Sequence, residues 1–224
     1  MRGFVRDNAL SLFFLLAFAA ALVGQSFAGT ADYNARQLTE GGLPVTWADY
    51  VTSSDFAVDV AENWQSEYLQ FLMFIMVTVW LVQRGSPESK PPGEEGGQSD
   101  REQRIGPFAR PDSPAWAKAG GVRRSLYSNS LGWVMGLVFA ASWFAQSVAG
   151  TAAYNNQRLS QLQDPVGWSG YVLSADFWNR TLQNWQSEFL AVLSMIVLAV
   201  YLRQRGSPES KPVGAGHAAT GVES

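Results

Sequence analysis

Four long runs without a single Asp, Glu, Lys or Arg, Ala9 to Ala28, Tyr68 to Val82, Leu131 to Ala149 and Phe189 to Leu202, restrict this chain to folds that keep apolar helices out of water. A helix crossing the hydrocarbon core of a bilayer takes about 20 mostly apolar residues at about 1.5 Å each. The first and third runs reach that length unaided. The second and fourth reach it only when extended back to Asn63 and Gln183. That draws the pentapeptide Asn63-Trp64-Gln65-Ser66-Glu67, and its copy Asn184-Trp185-Gln186-Ser187-Glu188, into the outer edge of the hydrocarbon. The near-neutral mean hydropathy of the whole chain conceals this, because it averages the runs with a polar linker and two polar loops.

The runs belong to a repeat. Residues 2–91 align without a gap on 123–212, with 43 of 90 positions identical. Each copy reads as a two-span hairpin, and an even number of spans gives both copies the same orientation. The expected fold is therefore an all-α membrane protein with four transmembrane helices, two parallel-repeat helical hairpins related by a pseudo-two-fold axis along the membrane normal. The hairpin units are 1–91 and 122–212. Between them, 92–121 is rich in Gly, Pro, Glu, Gln and Arg and reads as a flexible cytoplasmic linker, and 213–224 reads as a disordered tail.

Orientation follows from the basic residues. Of 16 Lys and Arg, only Arg36, Arg158 and Arg180 lie in the loops after the first and third runs, and the rest lie before, between and after the hairpins. The positive-inside rule then places both termini and the linker in the cytoplasm. A cleavable signal peptide is the competing reading of residues 1–28, with Ser26-Phe27-Ala28 as cleavage triplet. The matching Ser147-Val148-Ala149, which ends a mid-chain run, favours a retained span in both copies. Small residues at four-residue spacing, Ala20, Gly24 and Ala28, then Ala141, Ala145 and Ala149, with Gly132 and Gly136 beside the latter, predict close helix contacts in a tight four-helix bundle.

Both outer loops carry Tyr-Asn and then Pro-Val-x-Trp-x-x-Tyr-Val. Trp47, Tyr50 and Val51, and Trp168, Tyr171 and Val172, share one face of a helical turn, which predicts a short helix on the outer membrane surface. Trp47, Trp64, Trp168 and Trp185 are the expected interfacial anchors. Ser53 or Ser54, and Ser174, should cap a helix running into the following span, with Asp55 and Asp176 against its dipole.

The candidate polar site gathers Asn63 and Glu67, which share a helix face, with Gln25, Tyr33 and Asn34; the second copy offers Asn184, Glu188, Gln146, Tyr154 and Asn155. With no Lys or Arg in the spans, Glu67 and Glu188 form a candidate proton-responsive or cation-binding pair. The plainer reading is a polar clasp holding each hairpin together near the surface. It is favoured because Gln70 becomes Ala191, Thr78 becomes Ala199, and no charge lies deeper. The nonapeptide Gln83 to Pro91 recurs unchanged as Gln204 to Pro212. Arg, Gly and Pro are helix-stop residues, but stopping a helix gives no reason for Glu-Ser-Lys to match as well. Arg84, Glu88, Lys90, Arg205, Glu209 and Lys211 are thus a candidate cytoplasmic docking motif.

The chain has no cysteine, and its one histidine, His217, lies in a Gly/Ala-rich tail, so no metal or other cofactor is expected. A net charge of −3 without a basic stripe argues against nucleic acid. No nucleophile constellation or phosphate-cradling loop suggests an enzyme. The expected partners are the lipid bilayer and another membrane or cytoplasmic protein. The expected role is structural or partner-binding, and the alternative is a small proton- or ion-responsive transport or sensing protein.

Asn-x-Leu before the first span, Gly-Gln-Ser-x-Ala-Gly with a following Tyr-Asn, Asn-Trp-x-Ser-Glu-x-Leu and Gln-Arg-Gly-Ser-x-Glu-Ser-Lys-Pro together resemble a family of small bacterial membrane proteins known as a domain of unknown function. The resemblance falls on Gln25, Tyr33, Asn63, Trp64, Glu67 and Arg84, and again on Gln146, Tyr154, Asn184, Trp185, Glu188 and Arg205. It implies two tandem copies of the family unit, a fused form of a hairpin dimer, and brings no activity with it.

Overall fold

The computed structural model describes residues 2–221, and among them every regular element is a helix. The first half carries α1 (Arg2–Asp7), α2 (Ala9–Thr39), α3 (Trp47–Val51) and α4 (Ser54–Val77). After a single 3-10 turn at Gly106–Phe108 come α5 (Ala115–Lys118), α6 (Gly121–Ser128), α7 (Ser130–Ser160), α8 (Trp168–Val172) and α9 (Ala175–Tyr201). The bounds of α7 and α8 fall 121 residues after those of α2 and α3, and α9 begins 121 residues after α4.

Among the described residues three helices, α2, α7 and α9, are long and apolar enough to cross a membrane. At about 1.5 Å per residue, the 31 residues of α2 and of α7 exceed a hydrocarbon core of about 30 Å. Ser26 is the one buried residue of α2, whereas Leu10 and Leu16 are 73% and 70% exposed. Apolar surface left uncovered on this scale calls for contact with lipid.

The second expected span differs from its copy. The run to Val82 is not helical throughout, because α4 stops at Val77. The Thr78 hydroxyl donates to the Phe74 carbonyl at 2.6 Å, and the chain tightens into i+3 bonds, Val79 N–H to Met76 and Trp80 N–H to Val77. Alanine, the best helix former, stands at the equivalent Ala199, and α9 continues to Tyr201. The helix starts follow the sequence reading. Ser53 Oγ accepts from the Phe56 N–H and Ser174 Oγ from the Phe177 N–H, each at 3.3 Å, with Asp55 and Asp176 in the first turns.

The linker and tail carry local order. Besides α5, the linker holds Gly96 N–H on the Val79 carbonyl at 2.8 Å and Asp100 at 3.6 Å from Arg124 of α6. The tail returns to the first nonapeptide. Thr220 Oγ1 accepts from the Gly85 N–H at 2.8 Å, and the Gly221 N–H donates to the Ser86 carbonyl at 3.1 Å. Residues 222–224 of the expected disordered tail lie outside the described residues.

Compactness divides the chain into two units that do not coincide with the hairpins. Met1–Ala61 with Phe144–Trp178 form the first, and Glu62–Trp143 with Asn179–Ser224 the second. In the first unit each outer loop has its own small core. Tyr50 and Tyr171, expected at the headgroup level, are 3% and 1% exposed. Tyr33 and Phe56 enclose Tyr50, and Tyr154 and Phe177 enclose Tyr171, with ring centroids 5.3 to 5.6 Å apart. Each buried ring lies against a glycine, Gly29 or Gly150, where a Cβ would fall within 2.8 Å of ring carbons. Gly29→Ala and Gly150→Ala should each destabilise the loop core by about 1–3 kcal/mol, the cost of overpacking. Gly24→Ala, inside α2 with open space beside it, should instead stabilise by about 0.5–1 kcal/mol. Thermal unfolding in detergent, read by tyrosine fluorescence, compares the three. Of the small residues expected at helix contacts, Gly132 and Gly136 do meet α4: a Cβ there would lie 3.5 Å from Met76 Sδ and 3.7 Å from Leu72.

Candidate functional site

The predicted polar residues fall into two groups. In the first unit, Asn34 on α2 makes a two-point clip on the backbone of one residue. Its Nδ2 donates to the Val45 carbonyl at 2.9 Å and its Oδ1 accepts from the Val45 N–H at 2.8 Å. Asn155 on α7 does the same to Val166 at the same two distances. The loop indoles are also tied back, Trp47 Nε1 to Ser26 Oγ at 3.0 Å and Trp168 Nε1 to Ser147 Oγ at 2.9 Å. Of the expected anchors, these two hold the loop to the long helix through their polar edge. Each is still about half exposed. Gln25 is half-buried and Gln146 fully buried. Tyr33 and Tyr154 belong to the loop cores already described, and the Arg158 guanidinium lies 5.7 Å from the centre of the Tyr154 ring.

In the second unit the two identical pentapeptides have different surroundings. Asn63 and Glu67 are exposed and Trp64 is 42% exposed, while Gln65 and Ser66, on another face of the helix, are 0% and 2% exposed. In the copy, Gln186 and Ser187 are exposed and Asn184, Trp185 and Glu188 half-buried. Trp185 is turned inward. Its Nε1 donates to Gln65 Oε1 at 2.8 Å and its ring lies 5.6 Å from Trp143, so it serves the helix contact and leaves Trp64 as the exposed indole. Asn184 Nδ2 donates to the carbonyl of Arg180, whose guanidinium ion-pairs with Glu62 at 3.1 Å. Asp59 and Gln183 stand at the equivalent positions, so this ion pair exists only where the copies have diverged. Glu67 and Glu188 lie close enough for their charges to act on one another.

Gln65 escaped the sequence reading, which followed the i, i+4 face of Asn63 and Glu67. Its exact repetition as Gln186 was the available signal, but identical repetition does not tell which copy is buried.

The two nonapeptides fold alike. In each, a serine hydroxyl accepts from the first backbone N–H, Ser89 from Gln83 at 2.8 Å and Ser210 from Gln204 at 2.9 Å. In each, the earlier serine, Ser86 or Ser207, caps the Glu N–H. Gly85 and Gly206 take φ of 90° and 81°, a left-handed conformation that suits glycine. The lysines then diverge. Lys90 Nζ donates to the Gly96 carbonyl at 2.6 Å. Lys211, 1% exposed, donates to Gly85 at 2.6 Å and lies 3.0 to 3.3 Å from the carbonyls of Gly216, His217 and Ala219. Burial, and then Arg203, pulls its ammonium below the ordinary lysine range. Glu-Ser-Lys therefore has an internal role in addition to any docking one. Arg84, Arg205 and Glu209 are exposed.

Glu88 meets its own repeat partner. Burial raises its carboxyl above the usual range, and the charge of Glu209 and a side-chain hydrogen bond with it add to the rise. The folded state thus holds this proton more tightly than the unfolded chain. The stability it contributes is complete below the ordinary carboxylate value of about 4.3 and is lost as pH rises through the raised one. Glu88→Gln should flatten that part of the profile, with stability measured by denaturation from pH 4 to 8.

A family model for a domain of unknown function (DUF6766) matches residues 1–222. The chain belongs to that family. One domain match covers both halves of the chain. Neither the curated proteins nor the solved structures include a match to this DUF6766 member.

Proposed function

We propose that this DUF6766 protein is a four-span integral protein of a bacterial inner membrane, two parallel hairpins with both termini and the linker in the cytoplasm. Its role is structural or partner-binding, and non-enzymatic. The observation that carries this reading is how the repeated polar residues are engaged. Asn34 and Asn155, Trp47 and Trp168, and Ser89 and Ser210 make the same internal hydrogen bonds in both halves. Such duplicated bonding holds hairpins in shape. The lack of cysteine and the single histidine support a non-enzymatic role. The second span, α4, is completed by the apolar Val79 to Val82 beyond its helical end.

Arg84 and Arg205, exposed in both nonapeptides, are the groups left to face a cytoplasmic protein. Pull-down with Arg84→Ala and Arg205→Ala tests the docking role. Loss of a co-purifying protein supports it, and an unchanged set of co-purifying proteins contradicts it. A second reading, proton- or ion-responsive transport or sensing at Glu67 and Glu188, is favoured by the proximity of those carboxylates. Glu67→Gln with Glu188→Gln in reconstituted vesicles decides it. The structural role predicts proton and cation flux no different from the wild type, and a lost flux favours transport.

A further inference from the structure

In the second unit, α4 and α9 flank an open cleft of about 390 Å³, within the roughly 300–1,000 Å³ of ordinary small-ligand pockets. Its walls are apolar, with Phe74, Val77 and Leu81 from the first half and Val192, Leu193 and Ile196 from α9. Beyond the end of α4 the lining becomes polar: Gln83, Ser86, Ser89 and the carboxyl of Glu88.

We propose that this cleft binds an amphiphilic cation, an ammonium head on an apolar body, with the Glu88 and Glu209 carboxylates as its counter-charge. The neighbouring cations are engaged elsewhere. Lys90 donates to Gly96 and Lys211 to the Gly85 carbonyl, and the Arg203 guanidinium donates to the carbonyls of Ala199, Val200, Leu202 and Ala215. His217 contacts the Val200 carbonyl, and Arg84 and Arg205 are exposed. Among the described residues no Lys or Arg forms an ion pair with Glu88 or Glu209. The charge of Glu209 that acts on Glu88 is a like charge, and burial favours the protonated Glu88 carboxyl.

The apolar walls choose the class of cation. A bare inorganic ion would find oxygen atoms only at the polar groups of the lining and would leave the apolar walls at Val77 and Ile196 uncovered. A cation carrying its own apolar body fills the cleft with that body and sets its charge beside the carboxylates. An anion is repelled, and a neutral amphiphile gains nothing from Glu88. As pH rises Glu88 loses the proton that burial favours, and the ammonium binds more tightly. The inference goes beyond the structural role proposed above, and a different topology would leave its test unaffected.

The test is equilibrium dialysis of the full chain in phosphatidylcholine nanodiscs against dodecyltrimethylammonium and dodecanol, with protein-free nanodiscs as baseline. Saturable binding of the ammonium and none of dodecanol is expected. Binding should tighten about tenfold between pH 5 and pH 8 and weaken about tenfold in Glu88→Gln and Glu209→Gln. Equal saturable binding of dodecanol, or unchanged binding in variants that stay folded, would overturn the proposal. The wild-type comparison decides the matter even where a variant unfolds. Repeating it with phosphatidylethanolamine identifies the natural head: weaker probe binding assigns a lipid ammonium, and unchanged binding a free amphiphile.

Discussion

Lys211→Met is expected to open the C-terminal end of the second unit, whereas Lys90→Met should leave it closed, although the two lysines occupy the same place in identical nonapeptides. The ammonium of Lys211 is buried at the centre of four backbone carbonyls contributed by Gly85 and by the tail. Methionine fills a similar volume but donates nothing, so those carbonyls lose a charged donor. A hydrogen bond from a charged group contributes about 1.5–3 kcal/mol, and a buried acceptor left unmet adds its desolvation, for a loss of roughly 3 kcal/mol or more. Lys90 is half-buried and reaches one carbonyl, that of Gly96, so its loss should be about 1 kcal/mol. Hydrogen exchange at the Gly85 and Gly221 amides, which hold the tail to the first nonapeptide, separates the two cases. Equal protection in both variants would contradict the account.

Asn34→Ala and Asn155→Ala carry the next largest effects. Each removes both hydrogen bonds that an asparagine makes to the backbone of one residue, Val45 or Val166. About 2–3 kcal/mol per site is expected, from two lost bonds and the partly buried N–H left behind. Because the clips act in separate loops, the double variant should show additive losses. Aspartate at either position keeps the acceptor but not the donor, so it should lose about half as much. Limited proteolysis between Thr39 and Thr46, and between Ser160 and Gly167, reads each loop independently. An alanine variant as resistant as the wild type would count against the clip.

Local chemistry was legible in the sequence where it lies within a few residues. Ser53 and Ser174 begin their helices because a cap needs only a serine two or three residues ahead of a free N–H. The short helices at Trp47 and Trp168 follow from i, i+3, i+4 spacing. The end of α4 was harder to see, since an apolar run to Val82 looks continuous, and the competing Thr78 hydroxyl shifts the balance only locally. The polar residues were seen, but their partners were not. Asn34 and Asn155 face a peptide eleven residues on, and no periodicity marks that distance. Identity between copies also could not show that Gln65 is enclosed while Gln186 is exposed. That depends on diverged neighbours such as Glu62 and Arg180, which pair across the halves. The matching Glu-Ser-Lys of the nonapeptides looked like a docking motif because its internal bonds are made by a fold invisible in a single strand of sequence.

The central claim is that α4 crosses the membrane as the equivalent α9 does, so that four spans return both termini and the linker to one side. The chain has no cysteine, and single cysteines can be placed at Thr39, Gln103, Ser160 and Ala218 and labelled with a membrane-impermeant maleimide in intact cells and in inverted vesicles. Four spans predict labelling of Thr39→Cys and Ser160→Cys from outside, and of Gln103→Cys and Ala218→Cys only from the cytoplasmic face. Labelling of Gln103→Cys from the same side as Thr39→Cys would mean that α4 does not cross, and would contradict the account.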